Sequence, residues 1–215
     1  TKLFAKEVGV NTIAYQYLDK NDPKAVNIDF PLIVKPVRLG SSIGISVVKQ
    51  ASELAYALDV AFEFDTAVLI EPFIQGIKEY NLAGALCEDG FSFSIIEEPQ
   101  KEEFLDFDKK YLDFSRTKRV NEASLEASLQ EALKKAFVKL YDPLFAGALI
   151  RCDFFIRDNE IYLNEINPIP GSMANYLFND FQSVLASLSK ALPKGSLVPK
   201  QTYTYINSIQ SAKGK

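Results

Sequence analysis

The fold is decided by Arg151-Cys152-Asp153-Phe154-Phe155 and, a little further along, Leu163-Asn164-Glu165-Ile166-Asn167-Pro168. Successive side chains of a strand point to opposite faces, so Arg151 and Asp153 share one face of the first stretch, and Glu165 and Asn167 share one face of the second. Between them lies Asp158-Asn159, around which the chain is expected to turn. The two stretches are therefore predicted to form an antiparallel hairpin with its charged side chains on one face.

The pairing register decides whether these polar side chains meet. If the connecting loop has an odd number of residues, for instance 158–160, odd-numbered positions on both strands point the same way. Arg151, Asp153, Glu165 and Asn167 then converge, whereas a loop of even length separates them. A functional interpretation of the hairpin requires the odd register.

The converging side chains have the chemistry of a magnesium site. Asp153, Glu165 and Asn167 supply hard oxygen donors, and Mg²⁺ completes such a shell with water and substrate phosphate. The alternative is that Arg151 only pairs with an acid on a solvated sheet face. The stiff loop that follows favours a site, because its final Gly171 can present a backbone N–H to an anion.

A second candidate region follows the apolar strand predicted at residues 30–35. Lys35 ends that strand, and the loop at 36–44 contains Gly40, Ser41 and Ser42. Such a loop lets backbone groups approach phosphate oxygens closely, while the lysine adds a positive charge. The spacing matches neither a Walker A nor a Rossmann motif. An ordinary strand connection therefore remains the alternative at this point.

The remaining pattern alternates strands and helices. A helix is predicted from Ser52 and a strand at 67–70 that ends beside Glu71, with a hinge near residue 75. Hairpin strands follow at 80–87 and 91–96, then a long ordered loop at 97–119, a helix from Ser124 and a last helix at 181–192. Glu71 and Glu79 flank the hinge, where an acid can accept hydrogen bonds from a ribose; a solvated surface charge is the alternative for each.

Composition excludes several classes of function. The 215 residues contain no His, two Cys and a formal net charge of −4. The absence of His removes Ser-His-Asp and Cys-His catalysis, and two Cys are too few for a thiolate zinc site. An acidic chain without long apolar runs predicts no nucleic-acid partner and no membrane span, and the sparse cysteines favour a cytoplasmic location.

Five segments occur in the order expected of the ATP-grasp family: KPVRLGSSIG at 35–44, EPFIQGIKE at 71–79, KKYLDF at 109–114, RCDFF at 151–155 and NEINPIPGSM at 164–173. Within that family the chain most closely resembles the D-alanine:D-alanine ligases. The resemblance implies an α/β fold in which two subdomains clamp a nucleotide between sheets. Residues 1–74 would form the central subdomain and 75–215 the C-terminal one, while the N-terminal substrate domain is absent from this chain.

The resemblance also implies roles for individual residues. It assigns ATP phosphates to Lys35, the glycine-rich lid to Ser41 and Ser42, and the adenine edge and ribose to Glu71 and Glu79. Lys110 and Tyr111 would lie on a loop that closes over the site, with Lys110 near phosphate. Two Mg²⁺ ions, replaceable by Mn²⁺, would bind to Asp153, Glu165 and Asn167. Arg151 and the Gly171 N–H would stabilise the tetrahedral intermediate. Gly171, Ser172 and Tyr176 would lie near the second substrate.

The implied reaction joins two D-alanines into D-alanyl-D-alanine through an acyl phosphate, for peptidoglycan precursor synthesis by a cytoplasmic homodimer. The alternatives are another ATP-grasp carboxylate-amine ligase, a D-alanine:D-lactate ligase, or an ATP-binding regulatory module without chemistry. Tyr111 favours the dipeptide product over the depsipeptide.

Three positions depart from the family pattern. Leu39 replaces a frequent acid of the glycine-rich loop, and Tyr176 stands where a serine commonly binds the second substrate's carboxylate. Thr1-Lys2 begins just after another phosphate-binding lysine of the family. These differences predict an altered second-substrate pocket and a weaker link from the glycine-rich loop to the reacting groups.

Overall fold

The computed structural model describes residues 1–22, 24–40, 42–99 and 120–192. Its strands form two four-stranded antiparallel sheets, and each sheet packs helices against its own hydrophobic core. The candidate residues Ser41, Lys110 and Tyr111 lie outside the described residues. None of the helices in the described ranges has the length and apolarity that a membrane crossing requires.

The first sheet has the strand order β1-β4-β2-β3, formed by β1 (Gln16–Asp19), β2 (Leu32–Pro36), β3 (Ser46–Val48) and β4 (Ala67–Pro72). Helix α2 (Ala51–Phe64) covers one face and buries Ala57 and Ala61 against Leu32, Val34 and Ile70. Strand β1 was not predicted from the sequence, because Leu18 is its single buried residue and no alternation marks it.

The second sheet has the order β6-β5-β7-β8, formed by β5 (Lys78–Cys87), β6 (Gly90–Phe93), β7 (Ile150–Arg157) and β8 (Glu160–Asn167). Helix α3 (Ala127–Tyr141) packs Phe137 and Tyr141 onto Leu82 and Phe154. Cys152 belongs to this core and is fully buried, as expected for a position opposite Arg151 and Asp153.

The first helix, α1 (Lys2–Glu7), packs on the second sheet. Its Ala5, with Val10 just beyond it, belongs to the core beneath that sheet. The Leu163 N–H on β8 donates to the Asn11 carbonyl at 2.7 Å, which ties the following segment to the sheet. A helix from the stretch predicted as the central subdomain therefore contributes to the core of the other sheet.

The β7–β8 hairpin combines a shorter turn than the sequence predicts with a bulge. Arg157 pairs with Glu160, so Asp158 and Asn159, both with positive φ, form a two-residue turn. The prediction of an odd loop at 158–160 is therefore wrong. The register then shifts between Asp153 and Phe154. Because one extra residue on β8 reverses the parity beyond it, the odd-numbered positions still pair near the other end of the hairpin.

Beyond β8 the chain enters a tight segment before α4 (Phe181–Ala191). Within Gly171–Leu177, the consecutive residues Ser172, Met173 and Ala174 have φ between 50° and 53°. Left-handed conformations cost L-residues energy, and such strain persists where the surrounding structure imposes it, commonly beside functional sites. Helix α4 packs on β5 from the face opposite to α3.

Candidate functional site

The polar side chains predicted to converge on the hairpin do so. Asp153 pairs directly with Glu165, and Arg151 pairs directly with Asn167. Directly paired residues share a face, so all four lie on the side opposite the aromatic core. The sequence identified the correct face, although the bulge rather than the loop length produces it.

Arg151 and Asp153 form a two-pronged ion pair. The Nε and Nη2 groups of Arg151 donate to the two oxygens of Asp153, each at 2.7 Å, and the Asp153 side chain is 3% exposed. Burial raises the pKa of the Asp153 carboxyl to about 7 against the attraction of Arg151, and Glu165 and Glu79 add to the rise. Burial alone would lower the pKa of Arg151, but Asp153 outweighs it and raises that pKa.

An amide group sits between the two acids. The Asn167 Nδ2 donates to Asp153 Oδ2 at 3.1 Å and to Glu165 Oε1 at 3.2 Å. A donor shared by two carboxylates occupies the kind of position that a cation takes, and rotation of the amide would present its oxygen there. The donor set of two carboxylates and one amide oxygen fits Mg²⁺. Across the described ranges, no group of three or more His, Cys, Asp or Glu side chains forms a metal cluster.

Tyr176 extends the cluster towards the left-handed segment. Arg151 Nη1 donates to the Tyr176 hydroxyl at 3.3 Å, and burial raises the pKa of that phenol while Arg151 opposes the change. Gly171 and Ser172, a few residues before Tyr176, are exposed. A Cβ added at Gly171 would meet no atom within 4 Å. This opening gives a ligand room to approach the Gly171 backbone.

On the first sheet, Lys35 and Glu71 lie on adjacent strands. Ile33 pairs with Glu71, which places Lys35 diagonal to it on the same face, and Lys35 Nζ donates to Glu71 Oε2 at 2.9 Å. Lys2 reaches the other oxygen, with Nζ to Oε1 at 2.9 Å. Burial would raise the pKa of the Glu71 carboxyl, but the charges of Lys35 and Lys2 and their hydrogen bonds leave it lowered.

The predicted phosphate loop is anchored at its base. Asp65 accepts from the Arg38 backbone N–H at 2.8 Å and also pairs with the Arg38 guanidinium. At Gly44, φ is 69° and a Cβ would lie 2.8 Å from Pro36 Cγ, so this glycine is needed for the loop to close. Gly40 has no atom within 4 Å of a built Cβ and leaves space for a ligand. Ser42 is exposed and has a φ of 61°.

Glu79 lies two residues from Asn81, which pairs with Asp153 across β5 and β7. Glu79 is therefore on the same face as the acid cluster, close enough to affect the pKa of Asp153. The sequence interpretation missed three buried polar residues, Asn81 at 6%, Lys2 at 7% and Asp65 at 9% exposure. Asn81 was hidden inside an apolar run, but its position opposite Asp153 follows once the β5–β7 pairing is known.

Comparison with known proteins places these observations in a family. The family model described as D-ala D-ala ligase C-terminus matches residues 4–183. A D-alanine--D-alanine ligase of Wolinella succinogenes is 61% identical over 215 residues, which is 100% of this chain and 62% of that relative. The chain thus spans about six tenths of the length of such curated relatives.

Solved structures agree with the fold. A D-alanine-D-alanine ligase from Helicobacter pylori matches with a TM-score of 0.77 and 52% identity, over 90% of this chain and 57% of that one. A D-alanine--D-alanine ligase from Bacillus anthracis complexed with ATP has a TM-score of 0.61 at 21% identity, over 88% and 64% of the two chains, which supports the fold alone. The predicted fold of two α/β subdomains is confirmed.

Proposed function

The chain belongs to the D-alanine–D-alanine ligase family, and on that premise we propose that the complete protein joins two D-alanines at the expense of ATP, for peptidoglycan precursors. The observation that carries this proposal is the meeting of Asp153, Glu165 and Asn167 on one face of the hairpin. A ligase of this kind needs oxygen donors for the cation of Mg-ATP, and a surface charge pair does not explain the shared amide.

The proposed reaction has two steps. A carboxylate oxygen of the first D-alanine attacks the γ-phosphorus of ATP, and ADP leaves. The amino group of the second D-alanine then attacks the acyl carbon, loses a proton, and inorganic phosphate leaves as the amide bond forms. The protein must neutralise charge on the transferring phosphoryl group and exclude water from the acyl phosphate.

The two sheets divide these tasks in our proposal. Lys35 binds ATP phosphates beside the loop of Ser41 and Ser42, while Glu79 and the Glu71 segment face the adenine and ribose. Asp153, Glu165 and Asn167 would hold Mg²⁺, which would supply shielding of phosphate charge and polarisation of the reacting phosphoryl group. By the family resemblance, Lys110 and Tyr111 would close over the site.

Arg151 is proposed to act at the acyl centre together with the Gly171 N–H. Its guanidinium is held by both oxygens of Asp153 and keeps an Nη1 contact with Tyr176, so its orientation is set before substrate arrives. A fixed cation of this kind stabilises a developing oxyanion without reorganisation. In this proposal, Tyr176 and Ser172 contact the carboxylate of the second D-alanine.

The proposed role implies a location, whereas the assembly is implied only by the family resemblance. Synthesis that consumes ATP belongs in the cytoplasm, where ATP is made. The homodimer implied by the family resemblance stays a prediction, which the sedimentation velocity of the complete protein tests.

The metal assignment is tested by Asp153→Asn and Glu165→Gln in the complete protein. Each change keeps the side-chain shape and removes a charged oxygen donor, so phosphate release with D-alanine and Mg-ATP should fall by roughly 10³-fold, equivalent to losing several kcal/mol of charge stabilisation. Near-normal release from either variant would contradict the assignment.

Asp158→Asn is the matched control, because this acid lies in the turn of the same hairpin and is 87% exposed. It should leave phosphate release unchanged. Product analysis with D-alanine and D-lactate supplied together separates the competing functions: a dipeptide supports the proposal, a depsipeptide supports the lactate ligase, and neither product with intact ATP binding supports a regulatory module.

A further inference from the structure

Lys2 is a buried lysine to which the family resemblance assigns no role. It lies at the start of α1, its side chain is 6% exposed, and its ammonium is 2.9 Å from Glu71 Oε1. Lysines are rarely buried to this extent unless they are paired. The ammonium also lies 5.6 Å from the centre of the Tyr15 ring. Burial lowers the pKa of Lys2, and Glu71 opposes that change.

Lys2, Glu71 and Lys35 form one cluster, which we call the lysine–glutamate triad. Glu71 is 3% exposed and uses one oxygen for each lysine, with both distances at 2.9 Å. Lys35 is the most accessible member, with its side chain 22% exposed. Both carboxylate oxygens of Glu71 are therefore engaged inside the protein, and Lys35 is the member that remains accessible to a ligand.

The charge of the triad depends on Lys2. With two ammonium groups and one carboxylate the triad carries a net charge of +1, and without Lys2 it is neutral. A neutral Lys35–Glu71 pair attracts a polyphosphate much less than a cation does, because the carboxylate cancels the ammonium at short range. Glu71 would also be free to turn both oxygens towards Lys35 and hold it away from a ligand.

We propose that Lys2 is a positioning residue for the ATP phosphates: it neutralises and orients Glu71, so that Lys35 presents a full positive charge at the phosphate loop. This inference rests on the proposed function, since it takes ATP to be the ligand at Lys35. Lys2 acts through Glu71 and touches no ligand itself.

The packing of α1 explains how Lys2 is held. The helix is fixed to the core of the second sheet through Ala5, whereas Glu71 belongs to β4 of the first sheet. The Lys2–Glu71 ion pair thus joins elements that pack on different sheets. Phosphate affinity is thereby coupled to the docking of α1.

The test measures the affinities of ATP and adenosine for the complete protein carrying Lys2→Met, by calorimetry or competition with a fluorescent nucleotide. The ratio of the two affinities isolates the phosphate contribution. Loss of one charged partner predicts a roughly 10- to 100-fold fall in the ratio. Lys2→Arg keeps the charge and should preserve it. Lys6→Met is the matched control, because Lys6 is exposed on the same helix, and it should leave the ratio unchanged.

A rescue variant separates charge from packing. Lys2→Met combined with Glu71→Gln removes one charge of each sign and returns the net charge of the triad to +1. The ratio of ATP affinity to adenosine affinity should then recover most of the way to that of the unmodified protein. A merely structural Lys2 would lower both affinities alike or lower only the melting temperature, and either result overturns the proposal. If Lys2→Met does not fold, Glu71→Gln alone decides: the ratio should rise, and a fall overturns the proposal.

Failure of this inference is distinguishable from failure of the proposed function. If the unmodified protein does not bind ATP, the proposed function is wrong and the inference falls with it. If ATP binds and the ratio is the same with and without Lys2→Met, the inference alone is wrong.

Discussion

Two buried aspartates, Asp65 near the first sheet and Asp153 on the second, pair with arginines but have opposite electrostatics. Their side chains are each 3% exposed. The hydrogen bonds of the Arg38 side chain lower the pKa of Asp65 to about 2 despite burial, and backbone N–H groups add to the effect. Burial raises the pKa of Asp153 to about 7.

The difference lies in what surrounds each carboxylate. Asp65 accepts from the backbone N–H groups of Arg38 and Ala67, at 2.8 and 3.3 Å, so its charge is satisfied by the fold. Around Asp153, two further carboxylates raise the cost of ionisation. A buried acid with backbone donors is structural, whereas one crowded by other acids favours an added cation.

The largest expected effect comes from removing the arginine beside Asp153. Arg151→Met leaves that carboxylate buried without its cation, and breaking a buried pair typically costs about 3–5 kcal/mol of the free energy of unfolding. Urea denaturation at pH 8 measures this loss. Arg157→Met on the same strand is the control, because Arg157 is 58% exposed, and it should cost less than about 1 kcal/mol. Equal losses for the two variants would contradict the proposed difference.

Asp65 should show an intermediate effect that depends on its backbone partners. Asp65→Asn weakens hydrogen bonds to a charged acceptor and should cost about 1.5–3 kcal/mol of unfolding free energy at pH 7. Arg38→Met should cost less than about 1 kcal/mol, because the Arg38 side chain is 67% exposed and the backbone donors remain. If Arg38→Met were the more damaging variant, the pair rather than the backbone would stabilise Asp65.

The sequence predicted the face of the hairpin but not how it arises. Alternation in β7 and β8 placed Arg151, Asp153, Glu165 and Asn167 together, and the structure agrees. The bulge was not predicted, because two arrangements place the same residues on one face. One is a two-residue turn with an extra residue in β8, and the other is a three-residue loop without a bulge. The Asp158-Asn159 pair was itself a signal for the two-residue turn.

Lys2 shows what sequence patterns do not reveal. Its burial depends on contact between α1, packed on the second sheet, and Glu71 on the first, which no local periodicity encodes. For the same reason, the sequence showed Glu71 only as an isolated acid at the end of a strand. Long-range ion pairs require the tertiary arrangement, whereas strands and amphipathic helices follow from local spacing.

The last expected effect is in the pH dependence of stability, where the two aspartates should act in opposite directions. Both have an unfolded pKa near 3.9. The pKa of Asp65 is lowered, so its contribution is present above about pH 4 and is lost as pH falls through 2. The pKa of Asp153 is raised, so its contribution is present below about pH 4 and is lost as pH rises through 7.

Denaturation from pH 2 to 8 with a chelator present measures both slopes in the complete protein. Asp65→Asn should remove the loss of stability on the acid side, and Asp153→Asn should remove the decline between pH 4 and 7. A decline that persists in Asp153→Asn would place its source elsewhere. A cation binds the ionised carboxylate, so Mg²⁺ should reduce the loss of stability between pH 4 and 7 in the unmodified protein. The loss of stability on the acid side, which belongs to Asp65, should not change. This result would distinguish an acid that binds a cation from an acid whose charge is already stabilised by protein hydrogen bonds.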